Sequence, residues 1–264
     1  MGLFDKKFCS ICGGKIGLLG NRKLEDGNLC KDCAAKLSPW FSERRHSGVE
    51  DIKAQLAYRE ENKSAVSAFH TTRSLGKSTK VLLDEDNRRF MVAKTGNIST
   101  ENPDVLDYSQ VTGCDLDIEE NQHEEMRKDN EGKSVSYNPP RYTYSYDFYV
   151  TIRVNHPYFD EMRFKLNSSS VDTGNRSMGG VGGPGWNMST NNIRIGGGGV
   201  NDYYEYVNMG NEIKEALTQA RQEIRDQVAA ANAPKTAVVC PLCGATTIPN
   251  AQGCCEYCGG AING

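Results

Sequence analysis

Four Cys-x-x-Cys pairs set the terms for any fold this chain adopts. Cys9/Cys12 and Cys30/Cys33 stand near its start, and Cys240/Cys243 and Cys255/Cys258 near its end. A Cys-x-x-Cys loop aims two sulfurs at one ion. Two such loops complete a tetrahedral four-thiolate shell, the arrangement zinc favours at structural sites. The pairs are 17 residues apart in the first set and 11 in the second, which suits a small finger or ribbon. Eight metal ligands are therefore expected: Cys9, Cys12, Cys30, Cys33, Cys240, Cys243, Cys255 and Cys258, holding two structural zinc ions. A lone pair would equally suit a redox dithiol, but two pairs at finger spacing favour metal. Cys254 reads as a spare thiol that could serve as an alternative ligand through Cys254-x-x-x-Cys258.

Composition fits small metal-stapled units around one modest domain. Of 264 residues only 38% are hydrophobic and 27 are glycine, lean for one large core. Eight of the ten cysteines fall in metal-type pairs, and Met1 to Lys7 lacks a basic and apolar leader, so a reducing, cytoplasmic setting is expected. No apolar run approaches a membrane span. Met1-Gly2 does not make a myristoylation signal, because position 6 is Lys6. Net charge is −3 but unevenly spread: residues 1–75 carry 13 basic and 9 acidic groups, residues 76–200 carry 14 and 18. A loaded four-thiolate site would leave the N-terminal part only about +2, which weakens a nucleic-acid reading.

The order of elements predicts an α+β chain. Residues 1–45 form a zinc module: a knuckle at Cys9–Gly14, a hairpin with Ile16, Leu18, Leu19 and Leu24 as its apolar content, then a ligand pair on a helix start, a treble-clef-like order. Residues 46–75 hold a connecting helix over about 48–69, with Ser47 and Glu50 as a capping box and a polar, partly exposed middle at Arg59 to Lys63. Trp40 and Phe41 are expected to pack on the module. Residues 76–231 form an antiparallel β-domain. Its hairpin signal is Asp84 to Asn87, and its clearest strand carries Tyr142, Tyr144, Tyr146, Phe148, Val150, Ile152 and Val154 at period two. Residues 172–201 are Gly-rich and expected to be mobile. A helix over 203–231 follows, with Asp202 and Glu205 as its capping box, then a linker at 232–239 and a zinc ribbon at 240–264.

Phe8-Cys9-Ser10-Ile11-Cys12-Gly13 and Leu29-Cys30-Lys31-Asp32-Cys33 resemble a bacterial four-cysteine domain family of unknown function. The middle, antiparallel strands capped by one C-terminal helix, resembles bacterial pleckstrin-homology-like domains. Cys240-Pro241-Leu242-Cys243-Gly244 and Cys255-Glu256-Tyr257-Cys258-Gly259-Gly260 are similar to zinc-ribbon tails of bacterial proteins. These resemblances imply fold and metal but import no activity.

Other candidates read as structural. Cys114 suits a buried core thiol, and His46, His70, His123 and His156 suit surface or turn positions. The acidic run Asp115, Asp117, Glu119, Glu120, Glu124 and Glu125 lacks the calcium-loop pattern. The glycine runs lack the phosphate-cradling pattern, and Tyr142, Tyr144 and Tyr146 suit sheet packing better than base stacking. The expectation is a non-enzymatic, cytoplasmic, zinc-binding adaptor for protein partners that no motif names. Nucleic-acid binding through the zinc modules is the alternative. Membrane association through the β-domain is a second, against which that domain's acidic charge counts.

Overall fold

The computed structural model describes residues 7–94, 96–175, 177–178, 199–232, 237–250 and 252–262. It is a mixed helix and sheet structure with antiparallel sheets, dividing into two compact units, Met1–Arg221 and Gln222–Gly264.

The first unit begins with the four-cysteine module. Strands β1 (Lys7–Phe8) and β2 (Lys15–Ile16) pair, as do β3 (Arg22–Lys23) and β4 (Asn28–Leu29). Helix α1 (Lys31–Ala34) follows, with Cys30 as its N-cap. Cys9, Ile16, Leu24, Leu29, Cys33, Leu37 and Ile52 make one buried cluster. Of the hairpin's apolar content Ile16 and Leu24 are buried, whereas Leu18 and Leu19 stand in water on the turn Gly17–Gly20.

Helix α2 (Val49–Ser67) is capped one residue later than expected. Gly48 is the N-cap, with its amide donating to Asp51 at 2.8 Å. Asp26 from the module takes the Val49 amide at 2.8 Å, while Ser47 Oγ donates to the Glu43 carbonyl instead. A cap supplied from the β3–β4 turn thus displaces the local one. The middle of α2 also departs from expectation. Arg59 and Asn62 are buried, on one stripe with Ile52, Gln55 and Val66. Trp40 packs on Phe164 of the β-domain, centroids 6.4 Å apart, and Phe41 bridges the module cluster and Tyr158.

Strands β5 (Arg73–Gly76), β6 (Lys80–Asp84) and β7 (Arg89–Ala93) lead through the short helix α3 (Ile98–Glu101) to β8 (Val105–Asp107), in one meander of order β5-β6-β7-β8. The expected turn at Asp84 to Asn87 joins β6 to β7. Both faces of these strands are covered: Leu82, Met91 and Ala93 meet Phe69, Ile98 and Val105, and Val81, Leu83, Phe90 and Val92 are also buried.

The second sheet is built on β12 (Tyr142–His156). Along one edge runs β9 (Val111–Glu124), in register from Tyr142↔Glu124 to Arg153↔Gly113, with a shift of one residue before Val154↔Val111. Beyond it the short strands β10 (Met126–Lys128) and β11 (Ser134–Ser136) pair with each other. The other edge of β12 is shared by β13 (Phe159–Lys165) and β14 (Val171–Gly174). Tyr146, Phe148, Val150, Ile152 and Val154 face inward at the expected period. Strand β14 overturns part of the expectation of a loop at 172–201. Residues 176, 179–198 and 233–236, where the rest of the Gly-rich segment and part of the linker fall, lie outside the described residues.

Helix α4 (Gly199–Asn232) begins before Asp202, so Asp202 lies in its first turn and is not its cap. Its Tyr203 meets Tyr146 at 4.8 Å and Phe148 at 5.3 Å, and Ile213 and Leu217 are fully buried. Gly210 lets the helix close on β9: a Cβ there would sit 2.5 Å from Leu116 Cδ1.

In the second unit β15 (Val238–Val239) pairs with β16 (Thr246–Thr247), and Cys254 bridges to Ala261. Cys240, Thr247 and Cys255 are its buried side chains among the described residues.

Candidate metal centres

Three of the four cysteine pairs sit on the same local structure. In Cys9–Gly14 the Cys9 amide donates to the Gly14 carbonyl and the Gly13 amide returns to the Cys9 carbonyl, both at 2.8 Å. Cys240–Ala245 and Cys255–Gly260 repeat this pair of bonds at 2.8–2.9 Å. Each knuckle closes through a left-handed glycine just after its second cysteine: Gly13 at φ 70°, Gly244 at 73° and Gly259 at 70°. The fourth pair differs. Cys30 caps α1 and Cys33 lies inside it, with the Cys33 amide donating to Cys30 Sγ at 3.3 Å. The N-terminal centre is thus a knuckle facing a helix start, and the C-terminal centre a knuckle facing a knuckle.

These turns bring the eight predicted cysteines into two groups: Cys9, Cys12, Cys30 and Cys33, and Cys240, Cys243, Cys255 and Cys258. Within each group all four sulfurs lie within 4.8 Å of one another. Sulfurs bound tetrahedrally at 2.3 Å from zinc stand about 3.8 Å apart. The separations are 3.8 Å for Cys12–Cys30, 3.6 Å for Cys240–Cys258 and 3.8 Å for Cys243–Cys255. Each group could hold one zinc ion. Cys254 stays outside, its Sγ donating to the Gln252 carbonyl at 3.7 Å.

The electrostatics fit a divalent cation. Burial opposes ionisation of Cys9, but the amides of Cys12, Cys30 and Ile11 outweigh it and bring its thiol down to about 6. Burial and the sulfurs of Cys30, Cys12 and Cys9 push Cys33 up. In the ribbon the Cys243 amide, acting against burial, brings Cys240 down to about 7. At Cys243 the Ala245 amide lowers the thiol, but the sulfurs of Cys258, Cys240 and Cys255 together with burial push it up to about 12. One sulfur of each set is poised to ionise while neighbours resist a second negative charge. A +2 ion removes that resistance, so metal entry displaces protons.

Other candidate residues sit elsewhere. His70 and Asp86 meet at 2.9 Å, and Asp84 joins them within one group. Both Asp84 oxygens are already taken by the amides of His70 and Asn87 and the Asn87 side chain, which close the β6–β7 turn. Burial alone would raise the Asp84 carboxyl, but those donors hold it below the usual range. The carboxylates of β9 form a cross-strand ladder: Asp115 pairs with Arg153, and Asp117 and Glu119 with Arg163 at 2.7 and 2.9 Å. Cys114 is buried, and burial pushes its thiol up to about 12. His156, read as a surface or turn position, stands at the end of β12 beside the turn and is half-buried between Tyr58 and Phe159. Tyr146 is buried, whereas Tyr142 and Tyr144 border a shallow cleft of about 600 Å³ with Arg141 and Gly174.

The sequence reading missed a buried polar junction beneath the first centre. Arg59 Nη1 donates to Asp104 at 2.7 Å, and its Nε to the Lys36 carbonyl of the module at 3.4 Å. Ser38 Oγ donates to the second Asp104 oxygen at 2.8 Å. Asn62 Nδ2 donates to Asn102 Oδ1 at 2.9 Å, and its Oδ1 accepts from the Val105 amide at 3.0 Å. The available signal was spacing: positions 52, 55, 59, 62 and 66 step by three and four, so a buried stripe was present in polar residue types.

Residues 7–55 match a family described as "Domain of unknown function (DUF4428)", a stretch that contains the first cysteine group. No curated protein and no solved structure matches the chain.

Proposed function

We propose that the chain is a zinc-binding, non-catalytic adaptor of the cytoplasm. Cys9, Cys12, Cys30 and Cys33 hold one structural zinc, and Cys240, Cys243, Cys255 and Cys258 the other. The observation that carries this reading is the pair of closed four-sulfur groups at near-tetrahedral spacing. Four protein ligands leave zinc no open position for water or substrate, so the ions support rigid surfaces and not turnover. Thiolate ligation also favours a reducing compartment. The body between them, two antiparallel sheets with α4 packed across β12, supports a pleckstrin-homology-like reading of the β-domain. Among the described residues no helix is long and apolar enough to cross a membrane.

The test joins metal analysis to partner capture. Reductively purified protein should carry two zinc ions per chain. A bait with intact cysteines should retain a defined protein that a Cys12→Ser or Cys258→Ser bait does not. Less than one zinc per chain, or the same captured protein from every bait, would refute the reading. Substrate turnover lost on changing a residue outside the cysteine groups would replace it with an enzyme.

A further inference from the structure

Leu18 and Leu19 are 88% and 89% exposed, the most exposed large apolar side chains among the described residues. They occupy a turn closed by the Gly20 amide donating to the Gly17 carbonyl at 3.0 Å. At its base Ile16 and Leu24 are locked into the cluster that contains Cys9 and Cys33, so the two leucines are held out on a stiff support. Phe8, 55% exposed, lies across the strand pair from Lys15.

The surroundings of this tip are cationic. Residues 7–24 include Lys7, Lys15, Arg22 and Lys23 and no Asp or Glu. Arg22 Nη1 reaches the Leu19 carbonyl at 3.5 Å, and Arg44 Nη1 the Lys23 carbonyl at 3.0 Å. Burial and the charges of Arg22 and Arg45 lower the Arg44 guanidinium, so three guanidiniums share one neighbourhood. Among the described residues no carboxylate stands within ion-pair distance of Lys15, Arg22, Lys23, Arg44 or Arg45, whereas Arg59, Arg73, Arg89, Arg153 and Arg163 are all paired. Of the two acids in the β3–β4 turn, Asp26 is committed to the start of α2, whereas Glu25 is exposed beside Lys23, as Glu43 is beside Arg44. Against the six cations Lys7, Lys15, Arg22, Lys23, Arg44 and Arg45 stand Glu25, Asp26, Glu43 and the net −2 of a loaded four-thiolate zinc site, which leaves the module's tip region about +1.

We propose that the turn Gly17–Gly20 is a peripheral membrane anchor, which seats Leu18 and Leu19 at the headgroup–acyl boundary of an anionic bilayer while the surrounding lysines and arginines meet its headgroups. An exposed aliphatic turn flanked along the chain by cations that make no ion pair matches that surface in both respects: the acyl boundary takes the apolar side chains and anionic lipid takes the charge. Nucleic acid would use the cations but gain little from two leucines. A protein groove would use the leucines but has no stated need of the cations. This surface lies on the zinc module and not on the acidic β-domain, and it does not depend on the adaptor reading.

The test is co-sedimentation of the full zinc-loaded chain with vesicles of phosphatidylcholine alone and with 30% phosphatidylglycerol. Anionic vesicles should bind it at least tenfold better, and the gain should fall as salt rises. Leu18→Ser/Leu19→Ser should cut binding at least tenfold and Lys15→Gln/Lys23→Gln at least threefold, each with unchanged zinc content. As a second measurement, Leu19→Trp should shift its emission to the blue on anionic vesicles only. No sedimentation at low salt, or binding indifferent to the leucine pair, overturns the proposal. Stronger binding to a single-stranded oligonucleotide, lost with the lysine pair but not with the leucine pair, reassigns the surface to nucleic acid.

Discussion

Asp104 is fully buried, and its charge is tolerable only because Arg59 and Ser38 both reach it. Removing one partner of such a pair leaves an uncompensated buried charge, which costs about 3–5 kcal/mol. Arg59→Met should therefore lower stability in urea unfolding by about that amount. The double change Arg59→Met/Asp104→Leu should cost clearly less than the sum of its single changes, because it removes both charges together. Equal costs would show that the pair is not coupled. A second residue gives a pH signature. His156 Nδ1 accepts from the Tyr158 amide at 3.3 Å, and its ring stacks on Phe159 at 4.2 Å. Burial lowers its pKa below the ordinary 6.5, with Asp104 pulling weakly the other way. The unfolded chain gains this proton as pH falls through about 6.5 while the folded chain resists it. Stability from this group is complete above that pH and declines below it. Unfolding at pH 7.5 and 5.5 should show a steeper loss in the native chain than in His156→Phe. Neither residue announced itself in the sequence, since Arg59 reads as a solvated helix position and His156 as a turn residue until the packing partners are known.

At the scale of elements the knuckles are the sharpest case. Gly13, Gly244 and Gly259 hold φ near +70°, yet a Cβ at each would meet nothing within 4 Å. Replacement there probes backbone conformation without a clash, and an L-residue in the left-handed region costs roughly 1–2 kcal/mol. Gly13→Ala and Gly259→Ala should each weaken zinc roughly tenfold in competition with a chelating dye, and Gly13→Asn should do less harm, because asparagine tolerates this region. Unchanged affinity in all three would detach the turn from the metal. These knuckles were legible because metal geometry fixes ligand spacing and the turn fixes the glycine. Strand β12 was legible because one face is core and the other is not. The caps of α2 and α4 were not, since Asp26 reaches α2 from 23 residues away and no local pattern encodes that. The split among the hairpin's apolar residues was not legible for a related reason: nothing local says that Ile16 and Leu24 turn inward while Leu18 and Leu19 are carried outward on the turn.

For the molecule as a whole, the question is how far each metal centre supports what surrounds it. The C-terminal ribbon buries few side chains besides its own sulfurs, so its strands β15 and β16 should form only with metal, as small zinc units do. The N-terminal centre is different, because its module shares a core with Ile52 of α2 and is bonded onward to the β-domain through Ser38 and Asp104, Lys36 and Arg59, and Trp40 against Phe164. Unravelling the module withdraws Ser38 from a buried carboxylate, and a hydrogen bond to a charged group is worth about 1.5–3 kcal/mol. In a unit of this size each 1 kcal/mol moves the midpoint by about 2–4 °C. Cys33→Ser should therefore lower the melting temperature of the first unit by at least about 3 °C, followed through the near-ultraviolet signal of the buried tyrosines on β12 and α4. Cys33→Ser combined with Ser38→Ala should fall little further, because the first change already releases Ser38. Were the tyrosine signal to melt unchanged in Cys33→Ser, the module would be an independent attachment, and the buried junction at Asp104 would owe nothing to the metal.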